Sequence, residues 1–353
     1  MTDTKDNIKK EKVKTTTVIY SVIIIVVAYV ILIGVLIYGF GVNNEITNVS
    51  SRYIPYPAAI IDSKNFVTLG DFDSNLKSIK GFYENQDFSQ IGLRIDFSTE
   101  EGKKRMKIQE KQLLNKMIED KVIEILARQS GIKITNEIVD QEVSRKLDEY
   151  GDKQSVEENL ANFYGWTIED FKEKIVKADL YKEKLGKFFE SQDNSSNELK
   201  SKIEDAGKEL ESGKDFSDVA RDYSDGSTAQ DGGGLGWTTK EQLIPGLAES
   251  VFNIEEGERS GIIESELGFH IVKVEEKKLE EDVGMVKIKQ IFVRKKNLAD
   301  WLEEKMSDMK IYIPLKDYYW DKDGFEAQFR DESLREFEKE IIKEFQGDAS
   351  LIY

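Results

Sequence analysis

The chain has 353 residues, of which 51 are Lys or Arg and 68 are Asp or Glu, so its formal net charge is −17. Such an acidic chain is a poor partner for nucleic acid, whose phosphates favour basic surfaces. The lack of cysteine excludes disulfides and thiolate metal sites, and the single histidine, His270, excludes a multi-histidine metal site. We therefore expect no metal and no other cofactor.

An apolar segment near the start of the chain predicts a transmembrane anchor. Residues 18–40 carry no charge, and as a helix they would span about 34 Å at about 1.5 Å per residue. The hydrocarbon core of a bilayer is about 30 Å thick. No small-residue cleavage site follows, so we interpret the segment as an uncleaved anchor rather than a removable signal peptide.

The charges beside this segment predict its orientation. Residues 1–17 contain five Lys residues and three acidic residues, a net charge of +2, which leaves −19 for the rest of the chain (−17 minus +2). Positive flanks stay in the cytoplasm. We therefore expect a single-pass protein of the cell membrane with a cytoplasmic tail at 1–17 and the bulk of the chain outside the cytoplasm.

The next region is predicted to be helical. Residues 43–52 are polar and indicate a short linker, and residues 56–62 indicate a short strand. A long helix is expected from about Glu100 to Gln129, because its apolar residues recur with a spacing of three and four. Further helices follow, with a capping-box pattern at Thr167 and Asp170. We expect an all-α domain at 54–190 that either packs only on itself or acts as a chaperone module.

The most informative stretch is residues 223–274. It carries several short motifs in a fixed order, namely Ser224-Asp225, Gly234-Leu235-Gly236-Trp237, Gln242-Leu243-Ile244-Pro245, Val251-Phe252, Gly257-Glu258 and Gly268-Phe269-His270-Ile271. This stretch resembles the core of the parvulins, a family of peptidyl-prolyl cis/trans isomerases. The resemblance implies an α+β domain at 197–294, in which helices cover an antiparallel sheet.

One expected strand is missing from its usual place. Parvulins begin with a strand that carries a histidine, but the residues before Leu199 offer no such strand. Apolar and polar residues alternate instead after the core, at residues 285–294, as expected of a half-buried strand. The domain is therefore either circularly permuted, with this late strand replacing the first one, or incomplete, with an unrelated extra strand. Permutation is physically easy where domain termini lie close together.

The resemblance also implies the site residues. The polar network would consist of the expected catalytic residues Asp225, Ser265, His270 and Gln290. The cup that binds the proline ring and its surroundings would consist of the expected substrate-binding residues Leu235, Leu243, Leu247 and Phe252.

Several positions depart from the family pattern. The histidine of the family's first strand falls on Gln290, and the usual methionine and phenylalanine of the cup fall on Leu243 and Leu247. We therefore expect weak or narrowed isomerase activity. The alternative is a non-catalytic chaperone that keeps the parvulin fold and binds unfolded clients.

The order of segments resembles that of the SurA/PrsA-type extracytoplasmic foldases, which have an anchor or signal, a helical domain and a parvulin domain. The resemblance implies unfolded or proline-containing polypeptides as partners. After the parvulin-like domain, residues 297–353 predict a C-terminal helical extension. Its main helix, expected from about Asp323 to Gln346 with Phe345 near its end, would pack on the earlier helices or bind a partner.

Overall fold

A computed structural model describes residues 15–85, 96–150, 153–192, 195–280 and 283–344. The chain divides into two compact units, one of residues 1–185 with 303–353 and the other of residues 186–302. Most of the predicted cytoplasmic tail and the predicted helix residues Phe345 and Gln346 lie outside the described residues.

The helices are α1 (Thr15–Gly34), α2 (Glu45–Tyr53), α3 (Leu69–Asn85), α4 (Glu100–Gln129), α5 (Asn136–Tyr150), α6 (Lys153–Asn159), α7 (Ile168–Phe171), α8 (Lys177–Gln192), α9 (Ser195–Glu211), α10 (Phe216–Tyr223), α11 (Pro245–Phe252), α12 (Leu298–Ser307) and α13 (Glu332–Glu344). A π-helical turn, Val35–Gly39, continues α1. Among the described residues, Thr16–Gly39 is long and apolar enough to cross a membrane.

The strands are β1 (Pro57–Ile61), β2 (Asn65–Thr68), β3 (Gly234–Thr239), β4 (Ile263–Glu264), β5 (Gly268–Glu280), β6 (Val283–Arg294), β7 (Ile311–Tyr312), β8 (Tyr318–Asp321) and β9 (Glu326–Phe329). The first unit contains a sheet of order β2-β1-β7 and the hairpin β8-β9, and the second contains a sheet of order β3-β6-β5-β4. All these strand pairs are antiparallel.

The first unit is built around α4, whose predicted bounds, Glu100 to Gln129, are confirmed. The expectation of an all-α domain is wrong, because β1 pairs with both β2 and β7. Strand β7 comes from the far side of the second unit in sequence, so no local pattern indicates this sheet. The expected linker at 43–52 is also wrong. Asn44 caps α2 in a capping box with Thr47, and the helix covers most of that segment.

The end of the described chain belongs to the first unit rather than to a separate extension. The predicted helix from Asp323 begins only at Glu332, because the preceding residues form the β8-β9 hairpin. Phe325 adopts φ 52 in the turn of this hairpin, a left-handed conformation that interrupts a helix. The expected packing of the helix on earlier ones is confirmed, since Lys111 on α4 donates to Glu338 on α13 at 2.8 Å.

The sheet of the second unit has a buried core on each face. On one face, α9 and α10 cover side chains of β5 and β6 such as Ile271 and Ile291. On the other face, α11 covers Val272, Val274 and Ile288. This division follows from the alternation of side chains along a strand, and it decides which residues meet at the site.

Candidate functional site

The two central strands of the second unit place three side chains on the α11 side of the sheet. His270 lies opposite Phe292 in the pairing of β5 with β6, and Gln290 lies opposite Val272. Because alternate residues share a face, His270, Gln290 and Phe292 project to the same side. His270 and Gln290 are therefore diagonal neighbours across adjacent strands, a distance that long side chains can bridge.

Both ring nitrogens of His270 have a hydrogen-bond partner. The side-chain amide nitrogen of Gln290 lies 2.6 Å from Nδ1, and Ser265 Oγ lies 2.6 Å from Nε2. With the amide donating to Nδ1, the proton of the neutral ring is on Nε2 and points at Ser265. The Ser265 hydroxyl can then donate to the carbonyl of Gly268 at 3.3 Å, which completes the chain of bonds.

His270 is held in its neutral form. Its side chain is 2% exposed, and burial disfavours the charged ring. This burial, helped by the positive charge of Lys295, lowers the pKa of His270 from 6.5 to about 4. At neutral pH the ring therefore combines one donor with one acceptor and carries no charge.

A pocket of about 390 Å³ opens beside this network. Leu235, Leu243 and Leu247 give it an apolar side, and His270 and Gln290 give it a polar one. An aromatic wall comes from β6, where the ring of Phe292 stacks on that of His270 with centroids 4.7 Å apart and planes at 15°. The pocket thus joins an apolar cup to a small set of hydrogen-bonding groups, as small binding sites commonly do.

Asp225 borders the pocket, but its hydrogen bonds tie it to the neighbouring backbone. Its backbone N–H donates to the carbonyl of Phe292 at 2.7 Å, and its Oδ2 accepts from the N–H of Arg294 at 3.0 Å. Its Oδ1 accepts from Lys202 at 2.7 Å. These bonds align the segment after α10 along the end of β6 and so fix one rim of the pocket.

The comparison with known families points to the same part of the chain. Residues 183–276 match the family described as Rotamase: PPIC-type PPIASE domain, and they include most of β5 with His270 and every pocket residue before it. The chain contains a parvulin-type rotamase domain. The match ends before β6, so Gln290 and Phe292 lie outside the matched residues.

The rotamase domain is not the only similarity. The chain is 28% identical to the foldase protein PrsA of Geobacillus kaustophilus over 211 residues, 54% of this chain and 70% of that protein. It is 32% identical to PrsA of Bacillus subtilis over 31% of this chain and 35% of that protein. It is 42% identical to the chaperone SurA of Aromatoleum aromaticum over 22% of this chain and 17% of that protein.

Coverage of these relatives is uneven. Both the Bacillus subtilis and the Aromatoleum proteins are matched over well under two thirds of their length. Among solved structures, PrsA from Bacillus subtilis is similar at 22% identity and a TM-score of 0.19, over 55% of this chain and 72% of that one. The chain is thus similar in sequence to PrsA and SurA foldases and carries the rotamase domain.

Most of the predicted site residues meet in the second unit. His270, Gln290, Asp225 and the three leucines line the pocket, and Ser265 reaches it through its bond to His270. Phe252 does not line the pocket. It lies at the end of α11 among the apolar side chains under the sheet, and its carbonyl accepts from Lys277 at 3.0 Å.

Several residues that line the pocket were missed from the sequence, among them Phe292 and Leu267. Phe292 provides an aromatic surface that the leucines at 243 and 247 do not, and Leu267 adds an exposed apolar side chain at the rim. Phe292 could have been found, because it lies two residues after Gln290 in the same predicted strand and therefore on the same face. Leu267 lies in a loop, where no periodicity applies.

Proposed function

We propose that this chain is a membrane-anchored extracytoplasmic foldase whose rotamase domain isomerises X-Pro bonds in unfolded exported proteins. The observation that carries the proposal is the neutral ring of His270, held between Gln290 and Ser265 beside an apolar pocket. The similarity to PrsA and SurA foldases supports an unfolded polypeptide as the partner.

The proposed chemistry needs no covalent intermediate. An X-Pro bond isomerises in tens to hundreds of seconds without a catalyst, because rotation disrupts the resonance of the amide. A catalyst must bind the twisted amide more tightly than either planar form. Here the proline ring would enter the pocket between Phe292 and the leucines, while the polar network would face the twisted amide.

We assign roles to the site residues on this basis. His270 and Gln290 would set the polarity of the pocket, with Ser265 as a positioning residue that holds the histidine ring through Nε2. Leu235, Leu243 and Leu247 would contact the proline ring. Asp225 would position the rim, a role supported by its backbone hydrogen bonds to β6.

We further propose that the rotamase domain is circularly permuted and spans residues 197–294. Strand β6 lies between β3 and β5 in the sheet, although it follows both in the chain and lies beyond the matched residues 183–276. It therefore occupies the central position that the family's first strand would take. The late strand supplies Gln290 where the family has its first-strand histidine.

The remaining boundaries form part of the same proposal. Residues 1–17 would be cytoplasmic, 18–40 would cross the cell membrane once, and 54–190 would form a chaperone-like domain to which part of 297–353 adds. The apolar segment Thr16–Gly39 supports the anchor, and the positive charge before it supports the orientation.

The proposal is tested by prolyl isomerisation of a panel of X-Pro peptides by the full chain in detergent micelles. His270→Ala should lower kcat/KM about 10- to 100-fold, because it leaves two polar partners unsatisfied at a cost of about 1–3 kcal/mol. Asp225→Ala should lower kcat/KM less, because it loosens the rim of the pocket and leaves the polar network in place. Asp218→Ala is the matched control, since this exposed carboxylate pairs with Arg221 on α10 outside the pocket. The proposal is contradicted if the wild-type chain isomerises none of the peptides.

The second candidate is a non-catalytic chaperone with the same fold. A separate observation favours it, namely a cleft of about 1130 Å³ in the first unit, whose lining includes Tyr53, Phe163, Tyr164 and Trp166. The ring of Tyr164 stacks on that of Trp166 with centroids 5.0 Å apart. Aromatic surfaces in a wide cleft suit extended, apolar segments of unfolded chains.

Suppression of the aggregation of an unfolded client separates the two candidates. If the chain is a chaperone that uses this cleft, Phe163→Ser weakens the suppression of aggregation. Tyr312→Ser does not, because Tyr312 is an exposed aromatic residue on β7 outside the cleft. His270→Ala then leaves suppression unchanged. Equal loss in the two aromatic variants would contradict a role for the cleft.

A further inference from the structure

Helix α2 buries its polar residues and exposes its apolar ones. Its polar residues Thr47, Ser50 and Ser51 are only 2–5% exposed, whereas its apolar residues Ile46, Val49 and Tyr53 are 45–84% exposed. The exposed residues are spaced by three and four, so they form one stripe along the helix. A helix at the surface of a soluble unit would present the opposite arrangement.

The buried side of α2 packs against the apolar helix α1. Ser50 Oγ lies 2.6 Å from the hydroxyl of Tyr29, and Tyr56, just after α2, donates to the carbonyl of Val30 at 2.7 Å. Ser50 lies beside the apolar stripe on the helical circumference. The stripe is therefore next to the exposed apolar surface of α1, which at this level includes Ile31 and Leu32.

The length of α1 fixes the depth at which this contact occurs. From Thr16 to Tyr29 a helix rises by about 20 Å, whereas the hydrocarbon core is about 30 Å thick. If α1 enters the core at Thr16, Tyr29 still lies below the outer edge of the hydrocarbon. Tyr29 is then about 10 Å below that edge, close to the depth of about 5–10 Å to which an interfacial helix buries its apolar face. Its partner Ser50 therefore brings α2 to the outer interface, where the apolar stripe faces the same surroundings as α1.

We propose that α2 lies in the outer membrane interface, with Ile46, Val49 and Tyr53 in contact with lipid. The proposal rests on the membrane anchor proposed above. Continuity of the stripe with α1 favours lipid over a protein partner, and Tyr is enriched at the interface. Glu45 and Arg52 flank the stripe next to Val49 and are exposed, so their long charged side chains can reach the headgroups, as in interfacial helices.

Single-cysteine labelling tests this placement, because the natural chain has no cysteine. The full chain is labelled with an environment-sensitive fluorophore at Val49→Cys, at Asn48→Cys as the matched control on the side of the same helix away from the stripe, and at Ile24→Cys within the anchor. Each variant is reconstituted into phosphatidylcholine–phosphatidylglycerol vesicles. Quenching by lipids with a spin label on the acyl chain is compared with quenching by aqueous iodide.

We expect the Val49 probe to be quenched by the spin-labelled lipid severalfold more than the Asn48 probe, with a blue-shifted emission and little iodide quenching. Lipid quenching at Ile24 together with iodide quenching at Val49 would overturn the inference and leave the anchor intact. Absence of lipid quenching at Ile24 would overturn both. A Val49 probe shielded from lipid and iodide alike would show a protein partner or a second copy there, and this result too overturns the inference.

Discussion

Nδ1 of His270 lies 2.6 Å from the side-chain amide nitrogen of Gln290. The two residues lie on neighbouring strands, and only His270 falls within the residues that match the rotamase family. In this orientation the amide donates to Nδ1, so it favours the neutral ring with its proton on Nε2 over the charged ring, in which Nδ1 also carries a proton. The network is therefore fixed in one protonation state, which leads to a prediction about pH.

Isomerase activity should be nearly constant from about pH 5.5 to 8, since the pKa of His270 is lowered from 6.5 to about 4 by burial. Because this pKa is lower in the folded protein than in the unfolded chain, acid destabilises the folded state. The contribution of neutral His270 to the free energy of unfolding is fully present above pH 6.5. It falls by about 3 kcal/mol in all as the pH is lowered towards 4.

The chain has a single histidine, so its NMR signal reports this titration without overlap. The variant His270→Gln should lose this part of the acid sensitivity of the melting temperature. A titration midpoint near 6.5 in the folded protein would contradict the prediction.

The loop before β3 should tolerate no side chain at Gly233. This residue has φ +80, and a Cβ would clash with the carbonyl of Gln290. The carbonyl of Gly233 also accepts from the N–H of Gln290 at 2.8 Å. We expect Gly233→Ala to displace β6 locally, lower the melting temperature by several degrees and reduce isomerase activity.

The matched control is Gly246→Ala, because a Cβ there meets open space on the helix α11. Both variants are compared by thermal unfolding and by peptide isomerisation. Equal behaviour of the two would contradict the role assigned to the close approach at Gly233.

Asp73 on α3 should destabilise the first unit at neutral pH. Burial, and then the nearby charge of Glu110, raise its pKa to about 6. A raised pKa means that the stabilising protonated form is present at low pH and is lost as the pH rises through 6. We expect Asp73→Asn to stabilise the protein by about 1–2 kcal/mol above pH 7 and by little at pH 4, allowing for the partial exposure of the group.

Thermal unfolding at the two pH values checks this expectation. Glu84→Gln, an exposed carboxyl near the end of the same helix, should change the melting temperature little at either pH. A gain for Asp73→Asn that is equal at both pH values would argue against titration of Asp73 as its cause.

The ion pair between Lys111 and Glu338 should be strongly sensitive to single substitutions. The two side chains are 5% and 10% exposed, and the nitrogen–oxygen distance is 2.8 Å. Lys111→Met leaves a buried carboxylate without its partner, which costs about 3–5 kcal/mol. The double variant Lys111→Met, Glu338→Leu should recover most of the loss, because apolar side chains then fill the space.

Lys103→Met provides the control on the same helix, since it forms an exposed pair with Glu100 worth at most about 1 kcal/mol. Melting temperatures and the rate of proteolysis within α13 report the effects. A double variant as unstable as Lys111→Met would contradict the explanation by an unpaired charge.

Local periodicity was enough to predict α4 and the strand at residues 285–294. The apolar spacing of α4 and the alternation along residues 285–294 are properties of neighbouring residues, which the fold then uses directly. The site network followed from the resemblance, because its motifs fixed the positions of Ser265 and His270.

Features that depend on distant or unusual surroundings could not be predicted in this way. The pairing of Ile61 with Ile311 joins segments that the second unit separates in sequence. The sequence of α2 looks like a polar linker because its polar residues are the buried ones. A pattern of that kind is informative only once the apolar helix beside it is known.

The division of the first unit between residues before and after the second has a consequence for biosynthesis. While the ribosome adds the residues of the rotamase domain, the first unit still lacks β7, the β8-β9 hairpin and α13. Lys111 cannot pair with Glu338 until a further 227 residues have been synthesised. The second unit can therefore complete its sheet before the first unit closes, so a nascent chain would finish folding the pocket around His270 before the unit in which its synthesis began.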